Sequence, residues 1–146
     1  MNNSSLSAEL LAEFVGTFLL IFIGNGAVAT SVWAGAYDLW AVAFMWGLAV
    51  ALGVYAAGAI SGAHINPAVT LAFAGFSDFE NRKVAPYILV QIFAAFVASA
   101  AIHAAYGGIL DAFEASNGLV RGEMGSQLSA MAYTTYAPNP AIIGTD

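Results

Sequence analysis

The residues best suited to bind another molecule lie in one short stretch, SGAHINPA, at positions 61–68. Asn66 followed by Pro67 is typical of a helix start, because an asparagine side chain caps the first backbone N–H groups and proline is tolerated at the first helical position. The capping bond would come from the N–H of Ala68 or Val69. The asparagine NH2 would then be free to donate a hydrogen bond outward.

The backbone before Asn66 offers acceptors that complement this donor. Residues 61–65 include Gly62 and Ala63 and are predicted to be non-helical, so their carbonyls lack helical partners. A helix beginning at Pro67 also directs the positive end of its dipole, roughly half a charge, at the same point. Such a site suits a neutral molecule with hydroxyl groups and disfavours cations. The alternative is an ordinary helix cap, which this tripeptide forms in most soluble proteins.

The elements that must position this stretch are predicted to cross a membrane. Of the 146 residues, 60% are hydrophobic and 8% are charged, whereas a soluble domain usually has about 25% charged residues. Three apolar segments reach the roughly 20 residues that a spanning helix needs: about 7–32, 39–60 and 84–110. Ser7 is the predicted N-cap of the first segment, and Pro86 is expected in the first turn of the third. The sequence therefore predicts an all-α membrane protein.

A fourth apolar segment, residues 67–76, is too short to cross. Its ten residues would extend about 15 Å as a helix, which is half of a typical hydrocarbon core. We expect it to dip into the membrane and return as a re-entrant half-helix. Non-helical backbone at membrane depth is tolerated only where it is buried in protein or lines a water-filled cavity. The broken segment thus favours a pore.

The few charged residues predict the orientation. Arg82 and Lys83 precede the third span, whereas the loop at 34–38 has no basic residue, so the positive-inside rule places this pair and the N-terminus in the cytoplasm. Residues 111–146 are then an extracellular loop, in which 111–116 could form one short helical turn ended by an Asn-Gly pair. The N-terminus has no basic segment of the kind found in signal peptides, so the first helix is expected to persist.

The stretch SGAHINPAVT (61–70) resembles the major intrinsic protein family, the aquaporins and glycerol facilitators, whose signature is Asn-Pro-Ala in this context. AEFVGTFLLIFIGNGAVA (12–29) is similar to the family's first helix, and FENRKVAPYILVQIFAAF (79–96) to the start of its third. Trp46, 20 residues before the asparagine, stands where the glycerol branch carries a tryptophan. The long outer segment with YAPNP (136–140) also resembles that branch.

The resemblance implies a channel for passive, non-ionic transport of glycerol and other small neutral solutes, with some water. It implies that backbone carbonyls of four residues line the pore: Gly62, Ala63, His64 and Ile65. Asn66, in the motif with Pro67 and Ala68, would donate to the permeant hydroxyl, and Trp46 would pack against the carbon atoms of the solute. Two polar residues of the predicted spans, Glu13 and Gln91, would support the loop around the half-helix. A homotetramer in the cell membrane, without cofactor or metal, is also implied.

The sequence departs from the family in its extent. Family members have two inverted halves with six spans and two half-helices, whereas these residues contain three predicted spans and one motif. We therefore interpret them as the N-terminal half of a channel: a truncated gene, an incomplete record, or a half that pairs head to head. The shared charge bias of Arg82 and Lys83 disfavours the last of these.

Other classes of function remain as alternatives with less support. A non-conducting membrane fragment or assembly partner is the main one, because the second half is missing. A membrane enzyme is disfavoured, since the sequence has no His-Glu-x-x-His motif, no nucleophile elbow and no cysteine. A potassium-type filter would require a Thr-Val-Gly-Tyr-Gly stretch, which is absent from the sequence. A net charge of −6 with three basic residues argues against nucleic acid.

Overall fold

A computed structural model of the chain describes residues 4–123 and 125–137. Over these residues the secondary structure is entirely helical, which confirms the predicted all-α class. The helices are α1 (Leu6–Val32), α2 (Leu39–Ser61), α3 (Pro67–Phe76), α4 (Asn81–Asn117) and α5 (Gln127–Ala130). By length and composition, α1, α2 and α4 could each cross a membrane, whereas α3 has only ten residues.

The first helix begins earlier than predicted. Its N-cap is Ser5, not Ser7: Ser5 has extended backbone angles and its hydroxyl accepts a hydrogen bond from Ala8 N at 3.3 Å. Ser7 already lies in the first turn. Because Ser5 offers the same capping hydroxyl two residues upstream, the helix gains backbone hydrogen bonds by starting there.

The third long helix, α4, is longer than the predicted 84–110. It starts at Asn81 and continues through residues 111–116, which were predicted to form a separate turn in a loop. The chain has no helix-breaking residue between Leu110 and Gly118, so the helix continues until Gly118 takes a left-handed φ of 64° and caps it. With 37 residues, α4 extends about 55 Å and is longer than the hydrocarbon core.

The prediction for Pro86 was also wrong. Pro86 is the sixth residue of α4 rather than part of its first turn, so it cannot donate a hydrogen bond to the carbonyl of Arg82 one turn earlier. The Arg82 side chain is 80% exposed, so this carbonyl belongs to a turn near the solvent-accessible end of the helix. Water or a lipid headgroup can satisfy it there.

Helix α1 packs against both α2 and α4, and α3 packs against α4. The α1–α2 crossing is close because it is made by two glycines. A Cβ built on Gly53 would lie 2.9 Å from the carbonyl oxygen of Gly16, and one built on Gly16 would lie 2.6 Å from a methyl group of Ile65. Small residues at such a crossing let two helix backbones approach, which is how helices associate in lipid. The loop before α3 is packed into this crossing.

The segment after α4 folds back over the end of α1. The Trp33 indole N–H donates to the carbonyl of Ser129 at 3.2 Å, and the Trp33 ring lies 5.6 Å from that of Tyr133. The Arg121 guanidinium donates hydrogen bonds to the carboxylates of Glu114 and Asp111. These two carboxylates, Glu114 more than Asp111, raise the pKa of Arg121 further above its usual range. The predicted loop at 111–146 therefore contains the end of α4 and the short helix α5, while the predicted helix end at Asn117 and Gly118 is confirmed. Of YAPNP (136–140), the last three residues lie outside the described residues.

Candidate functional site

The half-helix starts as the sequence predicted. Asn66 is the N-cap of α3, its Oδ1 accepts from Ala68 N at 2.8 Å, and Pro67 takes the first helical position. This bond fixes the orientation of the amide. The Asn66 side chain is exposed, and its NH2 has no hydrogen-bond partner within residues 4–123 and 125–137. A fixed donor is therefore presented to whatever occupies the space beside α3.

The backbone leading to Asn66 follows a strained path. Gly62, Ala63 and Ile65 have positive φ angles of 88°, 51° and 43°. Glycine adopts this region freely, but residues with a Cβ do not, and each such residue costs on the order of 1–3 kcal/mol unless its surroundings hold it. Ile65 is β-branched, so its conformation needs the firmest support. That support comes from outside the loop.

Glu13 on α1 holds this loop in place. Its carboxylate is fully buried and accepts four hydrogen bonds, two of them from backbone N–H groups: His64 N at 2.9 Å and Ile65 N at 2.7 Å. The Ser61 hydroxyl donates to it at 2.6 Å and the Gln91 amide at 2.8 Å. Hydrogen bonds to an ionised carboxylate are about twice as strong as neutral ones. Glu13 thus makes the contacts that a loop-supporting role requires, and among the described residues Gln91 contacts the loop only through Glu13 and Thr70.

Thr70 is a second centre of this network, and the sequence analysis did not single it out. It is fully buried, and its hydroxyl lies 3.1 Å from the carbonyl oxygen of Asn66, 3.0 Å from Gln91 Nε2 and 3.2 Å from His64 Nδ1. A hydroxyl has one proton and two lone pairs. If it donates to Asn66 and accepts from Gln91, its remaining lone pair accepts a proton held on His64 Nδ1. This assignment gives each of the three contacts of the Thr70 hydroxyl one donor and one acceptor.

His64 is positioned by its ring as well as by its backbone. The imidazole lies among three aromatic rings, with centroids 4.7 Å from Phe73, 4.5 Å from Phe79 and 5.1 Å from Tyr87. The His64 ring is buried among these three aromatic side chains. None of the four residues lines the cleft that lies beside Asn66. The side chain of His64 therefore anchors the loop to α3 and α4, and only its backbone is available for a role at the cleft.

A cleft of about 270 Å³ lies beside the start of α3. Five residues from the sequence analysis line it: Trp46, Ile65, Asn66, Pro67 and Gln91. Four others, Gly62, Ala63, His64 and Ala68, are close in sequence but do not line it. The remaining wall is formed by Thr17, Leu20, Ile21, Ile92 and Ala95, so the cleft has one polar edge in a mainly apolar surround.

A larger cavity of about 480 Å³ lies in the outer segment, near Arg121 and Tyr133. It shares no lining residue with the cleft at Asn66. Because it contains none of the residues of the half-helix start, we take the smaller cleft as the candidate site.

A second buried acid, Glu9, braces the same region one helical turn before Glu13, and sequence reasoning also missed it. Its carboxylate lies 3.0 Å from Lys83 Nζ and 3.0 Å from the hydroxyl of Tyr87, which is also 3.2 Å from the carbonyl of Ser61. The two acids are four residues apart and therefore lie on one face of α1. This spacing was the feature of the sequence that could have predicted a shared role for Glu9 and Glu13. Beside them, Arg82 and then Lys83 hold the pKa of Glu80 below its usual range.

Within the described residues, no group of three or more histidine, aspartate or glutamate side chains could hold a metal ion. The carboxylate of Glu13 is instead committed to backbone N–H groups of the loop, to the Ser61 hydroxyl and to the Gln91 amide. The chemistry that this arrangement can perform is hydrogen bonding at a fixed position.

Comparison with known proteins identifies the family. Residues 1–141 match the family model described as Major intrinsic protein. The glycerol uptake facilitator protein of Haemophilus influenzae is 45% identical over 141 residues, which is 96% of this chain and 53% of that protein. The glycerol uptake facilitator protein of Escherichia coli K12 is 44% identical, over 95% of this chain and 50% of that protein. The chain thus spans about half the length of the curated relatives it matches.

A solved structure has the same architecture. The X-ray structure of the aquaglyceroporin from Plasmodium falciparum aligns with a TM-score of 0.67 at 31% identity, over 80% of this chain and 47% of that one. These matches agree with the resemblance seen at residues 61–70. The chain belongs to the major intrinsic protein family, whose members are channels and facilitators rather than enzymes.

Proposed function

We propose that the protein carrying these residues conducts glycerol and other small neutral solutes, with some water, passively across the bacterial inner membrane. These residues would form one half of a two-repeat pore. The observation that carries the proposal is the Asn66 amide, held by Ala68 N and free to donate into a cleft that also contains Trp46. The names of the relatives, glycerol uptake facilitators and an aquaglyceroporin, support the choice of solute.

The cleft suits a molecule with a polar and an apolar side. Asn66 would donate to a solute hydroxyl, and the carbonyls of Gly62, Ala63, His64 and Ile65 are proposed as the acceptors that follow it along the pore. Trp46 with Leu20 and Ile21 would contact the carbon chain. The positive end of the α3 dipole at Asn66 disfavours cations.

Stopped-flow light scattering on proteoliposomes tests the proposal. The protein is expressed from its gene to the natural stop codon, so that any second half is included. We expect a glycerol permeability well above that of bare lipid, and a strong reduction in Asn66→Leu, which keeps a similar volume but has no donor. Glycerol permeability no higher than that of bare lipid would refute the proposal. Reconstituting the 146-residue chain alone tests the alternative, a non-conducting fragment or assembly partner.

The orientation and oligomeric state that the resemblance implies are also proposals. The basic pair Arg82 and Lys83 at the start of α4 supports a cytoplasmic position for that end of the bundle and for the N-terminus. Family membership supports a homotetramer. The mass of the detergent-solubilised complex and protease accessibility of the N-terminus in oriented vesicles would test both.

A matched pair of glycine substitutions tests the role of Trp46. A Cβ on Gly24 would lie 2.5 Å from the Trp46 ring, whereas one on Gly26 would meet no described atom within 4 Å. We expect Gly24→Ala to displace the indole into the cleft and to lower glycerol permeability several-fold, because the ring lines a narrow passage. Gly26→Ala, on the same helix, should conduct normally. Equal permeability in both variants would show that the position of Trp46 does not limit conduction.

A further inference from the structure

We propose that Thr17 and Gln91 bind a single hydroxyl group, from a water molecule or an alcohol, inside the cleft beside Asn66. Two polar atoms carry the proposal: Thr17 Oγ1 and Gln91 Oε1. Thr17 is 3% exposed and Gln91 is 1% exposed, and within the described part of the chain neither atom has a hydrogen-bond partner. Both residues line the cleft, and each of the two atoms has less than 1 Å² of accessible surface, so they lie just beneath its wall. Buried polar atoms in native proteins are almost always hydrogen-bonded, so each of these calls for a ligand.

The orientation of the Gln91 amide is fixed by its neighbours. Its NH2 group donates to Glu13 Oε2 at 2.8 Å and to Thr70 Oγ1 at 3.0 Å. Only the nitrogen can donate to a carboxylate, so the amide cannot be flipped. Both amide protons are therefore committed, and Oε1 is left as an acceptor that points away from Glu13.

Thr17 supplies a complementary hydroxyl. It lies four residues after Glu13 on α1, on the same helix face, one turn from the Gln91–Glu13 hydrogen bond. A threonine inside a helix commonly donates to the carbonyl four residues earlier, as Thr30 does to Gly26 at 2.9 Å. Thr17 does not make this bond, so its proton is available to a ligand.

The pair selects a neutral hydroxyl. A hydroxyl can donate to Gln91 Oε1 and accept from the Thr17 hydroxyl at the same time, whereas a carbonyl ligand cannot donate and an ammonium ion cannot accept. Water and a small alcohol share this chemistry. The site goes beyond the proposed transport, since a resident water would occupy it whatever solute the pore conducts.

A structure of the full-length protein, at a resolution that shows ordered water, tests the site directly. We expect density within about 3 Å of both Thr17 Oγ1 and Gln91 Oε1, and its loss in Thr17→Val. Density that persists in glycerol-free protein identifies the ligand as water, and density that appears only with added glycerol identifies an alcohol. Absence of density under both conditions, or density unchanged in Thr17→Val, would overturn the proposal.

Thermal stability provides a second readout that does not depend on conduction. If Thr17 binds a bridging hydroxyl, Thr17→Val should lower the thermal midpoint by about 2–4 °C, while Thr17→Ser, which keeps the hydroxyl, should lower it less. If the Thr17 hydroxyl has no ligand, valine removes an unsatisfied polar group and the midpoint should rise. A rise in Thr17→Val would therefore contradict the site even in a protein that conducts glycerol.

Discussion

Replacing Glu13 with glutamine is expected to destabilise the protein strongly and to abolish glycerol permeability. The buried carboxylate accepts from His64 N, Ile65 N, the Ser61 hydroxyl and the Gln91 amide. Glutamine offers one oxygen, and its NH2 group would face two donors. A buried donor left without an acceptor costs about 1–3 kcal/mol, and two such donors would cost a large part of a stability of about 5–15 kcal/mol.

The loss should appear in the pore as well as in the stability, because Glu13 holds the loop whose end is Asn66. Thermal denaturation and stopped-flow glycerol uptake on the same preparation measure the two effects. Glu123→Gln is the matched control, since Glu123 is exposed on the outer segment and the same change there should alter neither quantity. A Glu13→Gln protein that melts and conducts like the unchanged protein would show that the loop does not depend on this carboxylate.

Gly53→Ala is the second substitution for which we expect a large effect. The new Cβ would lie 2.9 Å from the carbonyl oxygen of Gly16 and 3.1 Å from Ile65 Cδ1. The first contact is with backbone, so α1 and α2 must separate, and the second disturbs the strained residue that Glu13 holds. Overpacking of this kind costs about 1–3 kcal/mol.

Gly47→Ala is the matched control on the same helix. A Cβ at Gly47 would meet none of the described atoms within 4 Å. Alanine is favoured over glycine in a helix by about 0.5–1 kcal/mol, so this variant should be as stable as the parent or more so. The opposite signs of the two effects, measured by thermal denaturation, form the test. A neutral Gly53→Ala would mean that the helix crossing can relax at little cost.

The half-helix was predictable because its signals are local. Residues 67–76 are helical as predicted, and Asn66 caps Ala68, because an Asn-Pro pair favours a helix start through contacts within a few residues. The length of α4 was not predictable in this way. The acidic residues after Leu110 are typical of the end of a membrane span, so the helix was predicted to end there. The helix instead continues beyond the apolar region until Gly118 adopts a left-handed backbone conformation and caps it.

The site was predictable only where a residue type is unusual for a membrane helix. Glu13 and Gln91 are conspicuous in apolar segments; Glu13 contacts the loop, and Gln91 contacts Glu13. Thr70, Thr17 and Glu9 have equally important contacts or burial, but threonine is ordinary in a membrane helix and Glu9 lies near a helix end, where acids are common. The contacts of Glu9 come from the packing of α1 against α4, and that of Thr70 with Gln91 comes from the packing of α3 against α4. No short stretch of sequence encodes either packing.

The depth of α3 in the membrane tests the central claim most directly. The chain contains no cysteine, so single cysteines at Ala68, Ala72 and Phe76, which lie on one helix face, can carry spin labels without background. Electron paramagnetic resonance with oxygen and nickel relaxants then reports the depth of each label. A re-entrant α3 predicts that the label at 68 is deepest and the label at 76 shallowest, with a total change of about 12 Å. Equal depths along α3, or labels at 68 and 76 near opposite surfaces, would contradict it.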